Sequence, residues 1–252
     1  MADALAVELH ALAAETASGS GAAVDIGELR SAAKLHLRVT ASTVAAGVSL
    51  VVTLETSPDG TTGWRAVASF DPTTSVVRAE RVFDELERFI RVSWTMSGGD
   101  SFTFSVSGKA HVLLATWQDV ITSTLPLQAL EELPIETRAK NLLIATEMAY
   151  EEIGPAYPPP LTDWSESVRG YTATIAASLM MTFRGVAPEG VDEMIFEQSK
   201  AAMSALKRIG RAEIRPAANQ PPTNHGPVAS SGNPASPDTF PTRFSGNWGD
   251  FG

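Results

Sequence analysis

Histidines, clustered acids and aromatics are the side chains in this sequence that could do chemistry. His10, His36, His111 and His225 are scattered without ligand spacing, and zinc needs three or four convergent ligands. No metal is expected, and His36 and His111 read as residues of solvated strand faces. Glu131, Glu132, Glu147, Glu151 and Glu152 could pair for acid–base work. Runs of acids on a helix are ordinarily a solvated face, so they are not assigned to catalysis. Ser, His and Asp occur without a nucleophile elbow. Gly19, Gly21 and Gly27 do not follow a strand and open a helix in the order a phosphate-binding loop needs. The sequence predicts no enzyme, no nucleotide and no organic cofactor.

The aromatics point to contacts rather than reactions. Trp64 and Trp94 could form a platform for a sugar, but core filling is the expected role for tryptophans on strands. Met180 and Met181 read as core or subunit contact. Arg184 could touch DNA; as a cation in the last turn of a helix it also has a structural role. The final segment, 215–252, holds seven of the 16 prolines, many Ser, Asn and Gly, and almost no charge. Such a composition cannot build a packed core and is expected to be disordered when free. Yet it ends on Phe240, Phe244, Trp248 and Phe251, which read as anchors for a partner, with a stiff Pro-rich spacer before them. The competing arrangement folds these aromatics back onto the chain's own helices.

The elements that would carry these residues fall into two kinds. Residues 1–116 read as an antiparallel β-sandwich. Leu35, Leu37 and Val39 alternate with polar residues, as do Leu50, Val52 and Leu54, then Ile90, Val92 and Trp94, then Phe102, Phe104 and Val106. Ser57-Pro58-Asp59-Gly60 marks a turn, and Gly98-Gly99-Asp100 is a hairpin signal. At the start, Leu5, Val7 and Leu9 fit a strand while Leu5, Leu9 and Leu12 fit a helix. The β region that follows favours the strand. The period changes near Trp117. Residues 117–214 read as a helical domain, with a short helix over 127–133 between Pro126 and Pro134. Long helices are expected over 136–153, 162–183 and 190–209. Thr162, with Asp163 and Ser165 behind it, is the expected start of the middle one. Gly185 and Gly210 read as stop signals behind last turns bearing Arg184 or Lys207 and Arg208. The fold class is therefore α+β: sandwich, helical domain, extended C-terminal tail.

Composition bounds the rest. A chain of 252 residues with 44% hydrophobic content can build one large domain or two ordinary ones. There is no apolar run near transmembrane length, and the first residues lack the basic start of a signal peptide. Without cysteine there are no disulfides or thiol chemistry, which suits assembly in a reducing cytoplasm. The net charge is −10, whereas a protein that grips DNA from outside is expected to be basic. The helical domain holds 8 basic and 14 acidic residues, the sandwich 9 and 13. An acidic lining would let DNA slide through a passage without sticking; a solvated acidic surface explains the charge equally well.

The stretches Ala149 to Leu161, Leu179 to Gly185 and Ser204 to Ile214 carry a resemblance. They resemble the helical adaptor, or connector, proteins of tailed bacteriophages and phage-like gene transfer particles. That family pattern is a helix, a Tyr-x-Pro-Leu-like loop, a long helix ending in Arg and a third helix closing on Leu, Ile and Gly. Here the positions are Tyr157 to Leu161, Arg184, Leu206, Ile209 and Gly210, within about a third of the chain. The resemblance implies a neck protein of the virion, assembled in the host cytoplasm, forming a dodecameric ring on the portal. Its implied partners are the portal, further copies of itself and a tail or further neck protein, with DNA only passing through and no membrane. It also implies that the C-terminal tail runs onto the portal. The sandwich lies outside the resemblance. The alternative reading is a virion-surface binding module, a glycan- or protein-binding β-sandwich anchored by its helices.

Overall fold

The structure is a computed structural model and describes residues 4–43, 48–97, 101–123, 133–158, 161, 163–184 and 191–214. It is α+β: two antiparallel sheets face to face, followed by a helical half. The expected helix at 127–133, apart from Leu133, and the whole tail 215–252 with the anchors Phe240, Phe244, Trp248 and Phe251 lie outside the described residues.

Nine strands build the sandwich. They are β1 (Ala4–Glu15), β2 (Gly19–Ser20), β3 (Val24–Asp25), β4 (Ala32–Thr43), β5 (Leu50–Ser57), β6 (Arg65–Ser69), β7 (Val77–Phe83), β8 (Phe89–Met96) and β9 (Ser101–His111). One sheet runs β1-β9-β4-β7 and the other β2-β8-β5-β6, with β3 also paired to β8. Alternation decides which side chains go in. Leu35, Leu37 and Val39 on β4 and Phe102, Phe104 and Val106 on β9 meet Leu50, Val52, Leu54, Ile90, Val92 and Trp94 from the opposite sheet. At the turn after β5, Asp59 accepts from the Thr61 and Thr62 amides and the Thr62 hydroxyl, and Gly60 takes φ 72.

Two strand expectations are refined. The N-terminal segment is a strand, with register shifts either side of His10. Such bulges swap faces, and they turn His10 inward. Its ring stacks on Phe104 at 4.3 Å, its Nδ1 donates to the Phe104 carbonyl, and its Nε2 lies 3.2 Å from Glu15. The hairpin expected at Gly98-Gly99-Asp100 is not formed. β8 pairs with β5, whereas β9 pairs with β1 and β4, so the chain crosses between sheets. Both strands have one apolar face. Setting them on opposite sheets points those faces at each other, which a hairpin cannot do.

The helical half begins at α1 (Trp117–Ser123), which the sequence reading did not foresee. Thr116 and Asp119 cap it reciprocally: the Asp119 carboxylate accepts from the Thr116 amide and hydroxyl, and the Thr116 hydroxyl accepts from the Asp119 amide. α2 (Ile135–Ile153) follows Pro134 and buries Ala139, Leu142, Thr146, Ala149 and Ile153 along one stripe. α3 (Glu166–Arg184) starts four residues later than expected. The Ser165 hydroxyl accepts from the Val168 amide at 3.4 Å and caps it; Thr162 lies outside the described residues. α4 (Val191–Gly210) is closed by Ala212 in the left-handed region. The Glu213 amide bonds back to the Arg208 carbonyl and the Ala212 amide to Ile209, the Schellman arrangement without its usual glycine. Gly210 is thus not the left-handed stop the sequence suggested. It is needed for a close approach: a Cβ there would stand 1.8 Å from the Glu152 carbonyl oxygen on α2.

Leu113 to Ala115, between the last strand and α1, are buried with the helices. The Leu114 amide donates to the Thr146 hydroxyl at 3.2 Å, and Trp164 Nε1 donates to the Leu114 carbonyl at 2.9 Å. Thr146→Val keeps the shape and removes the acceptor. It is expected to cost about 1–3 kcal/mol in urea unfolding, because a buried amide is left unpaired. Thr146→Ser should recover most of the loss; equal loss in both variants would refute the hydrogen-bond account.

Candidate functional site

The side chains singled out by type end up apart. Among the described residues no group of three His, Asp or Glu could hold a metal ion, and no helix is long and apolar enough to cross a membrane. The acids on α2 do not pair with one another: Glu152 lies 3.7 Å from Lys207 on α4, and Glu147 faces the sandwich. Trp94 fills the sandwich core as expected. Trp64 does not; it is half-buried, with the Arg91 guanidinium 4.1 Å from its ring centre and Glu55 holding that guanidinium at 2.7 Å. Met180 and Met181 are buried in the helical core. Arg184 ends α3, and its side chain lies outside the described residues.

A site that the sequence reading missed lies on the outer face of the β1-β9-β4-β7 sheet, where α2 overhangs it. Strand alternation turns Lys34 and His36 of β4 and Ser107, Lys109 and His111 of β9 to this face. Together with Ala6, Val7, Gly108 and Glu147 of α2 they line a groove of about 520 Å3. Lys34 stands directly across from Lys109. Glu80 on β7 lies 2.8 Å from Lys34 and 3.5 Å from His36. The hydrogen bond from Lys34 holds the Glu80 carboxyl below its usual range, and the nearby His36 and Lys140 charges add to this.

His111 corrects the expectation of a solvated imidazole: it is 6% exposed. Neither ring nitrogen has a hydrogen-bond partner. Burial lowers its pKa from 6.5, and the positive charges of Lys109, Lys34 and Arg30 lower it further. The missed signal was positional. On local pattern His111 is a polar residue at the end of a solvated face, and nothing local to β9 signals its burial.

A second titratable feature lies where β7 leads into its following loop. Asp84 is 7% exposed, and its carboxyl is pushed up to about 6 by burial, with the Glu85 charge adding and Arg138 of α2 opposing. Glu85 beside it takes φ 55.

No protein-family model matches the chain, and no curated protein does. Among solved structures, the VP2 subviral particle of infectious bursal disease virus is similar over 43% of this chain, at 18% identity and a TM-score of 0.33; this chain spans about a third of that one (32%). The SPBc2 prophage-derived protein YomS is similar over 42% of this chain and 92% of its own, at 15% identity and a TM-score of 0.27. A mutant of the family 29 carbohydrate-binding module CBM29-2 is similar over 43% of this chain and 90% of its own, at 8% identity and a TM-score of 0.24. Similarities this distant assign no function.

Proposed function

We propose that this chain is a structural protein of a tailed-phage or phage-like particle. It is a head-to-tail adaptor whose helical half joins a ring on the portal and leaves a passage for DNA. The observation that carries the reading is what the resembling residues do. Tyr157 and Leu161 bracket the Pro-rich loop and are both buried in the helical core, with Leu206 and Ile209. Gly210 lets α4 touch the α2 backbone. In this reading the order of helix, Pro loop, long helix and a last helix with Gly210 at its contact with α2 shapes the helical half. The partners in this reading are the portal protein, neighbouring copies and a tail or further neck protein. The sandwich projects from the ring. An electron-microscopy map of the particle neck tests the assignment directly.

The tail supplies a second test. In this reading 215–252 runs extended along the portal, with Phe240, Phe244, Trp248 and Phe251 as anchors. A polyproline-like spacer gains roughly 3.1 Å per residue. A segment that orders on binding concentrates its affinity in a few large side chains. Deleting 240–252 is expected to abolish attachment to the particle while the melting temperature of the isolated protein stays unchanged. A truncated protein that still joins the neck at full occupancy refutes the anchor role.

A further inference from the structure

The groove beneath α2 has the features of a site waiting for a carboxylate. Lys34 and Lys109 face each other across β4 and β9, and like charges directly opposite are destabilising. Glu80 relieves Lys34. No ion pair reaches Lys109 among the described residues, although Glu8 of β1, opposite Ser107, shares its face. His111 lines the same groove, buried, with both ring nitrogens unpartnered. A buried imidazole in that condition costs free energy unless something outside the chain completes it.

We infer that this groove docks an acidic segment of another polypeptide, one carboxylate of which sits between Lys109, Lys34 and the His111 ring. The carboxylate accepts from the Lys109 ammonium and from the His111 ring N–H. The Ser107 hydroxyl offers a further donor, and Ala6 of β1 flanks it on the same face. The opposite wall carries Glu147, and Glu80 lies beside the cations. These acids tolerate one carboxylate close to the lysines but repel a row of phosphates, and the chain as a whole carries −10. That favours a polypeptide over a nucleic acid. The inference does not depend on where in a particle the protein sits.

The test uses the full chain and an acetylated, amidated pentapeptide with a single glutamate between alanines. The probe is the His111 ring signal in proton–carbon NMR, assigned with His111→Gln. The peptide is expected to shift that signal saturably while the His10 signal stays fixed. Lys109→Gln, a change at an exposed side chain, is expected to weaken binding about tenfold or more while the melting temperature holds. Lys34→Gln should weaken it in the same direction. Absence of a saturable shift at millimolar peptide overturns the inference. So does equal binding by wild type and Lys109→Gln. Displacement of the peptide by a short DNA duplex or by inorganic phosphate at lower concentration overturns it too, by making the groove a phosphate site.

Discussion

Gly210→Ala is expected to destabilise the helical half by about 3 kcal/mol or more, read as a lowered urea midpoint. On helix propensity alone the change should help, by about 1 kcal/mol. Steric contact decides the sign. The new Cβ would stand 1.8 Å from the Glu152 carbonyl oxygen and 2.9 Å from its carbon. Those are backbone atoms inside α2, so no rotamer change can clear them and the two helices must separate. Separation weakens the burial of Leu206, Ile209 and Ile153 and the approach of Lys207 to Glu152. Gly170 is the matched control. It lies inside α3, and a Cβ there meets nothing within 4 Å. Gly170→Ala should therefore stabilise by roughly 0.5–1 kcal/mol. Equal effects of the two substitutions would show that the close approach of α4 to α2 is not what holds the helices.

Asp84→Asn is expected to stabilise the protein at neutral pH and to flatten its stability profile between pH 4 and 6. The folded carboxyl titrates at about 6 against an ordinary value of 3.8. Between those values the folded chain holds a proton that the unfolded chain has lost. Stability from this group is therefore highest below about pH 4, falls as pH rises through 6, and stays low above. Two pKa units correspond to about 3 kcal/mol. Asn keeps the shape without the charge, but it also loses the attraction of Arg138. The net gain at pH 7.5 should be about 1–3 kcal/mol, with little change at pH 4. Loss of stability at pH 7.5 would mean that the Arg138 attraction outweighs burial. His111 works in the opposite direction: its lowered pKa removes stability as pH falls below 6.5. The slope should thus be compared between wild type and Asp84→Asn rather than read from either alone.

Much of the fold was legible because local pattern and final burial agree. Leu35, Leu37 and Val39 alternate in the sequence and all three point into the core; Leu142, Thr146, Ala149 and Ile153 recur at three and four and line one stripe. What was not legible depends on partners distant in sequence. Alternation shows that β8 and β9 each have one apolar face, but not that the faces oppose each other across the sandwich. Gly210 reads as a helix stop, and only α2 shows that the missing Cβ is the point. The candidate groove was invisible for the same reason. Lys34, His36, Lys109 and His111 look like the polar halves of two strands, and the register that aligns them is set by pairs some seventy residues apart.

The strand order also constrains how the molecule can be made. β9 is the last strand to leave the ribosome, yet it lies between β1 and β4, with Ala4 and Ala32 both opposite His111. Until it arrives, β1 has no neighbour in its sheet and β4 has one bare edge. At roughly 5–20 residues per second, those earlier strands wait several seconds with their apolar faces uncovered. Loop closure over that separation is slow by comparison with the local contacts of the helices that follow. Premature termination before Ser101 would leave sticky, unpaired strands rather than a smaller working sandwich. The timing of synthesis, and any holdase that shields nascent strands, therefore bear on the yield of this protein.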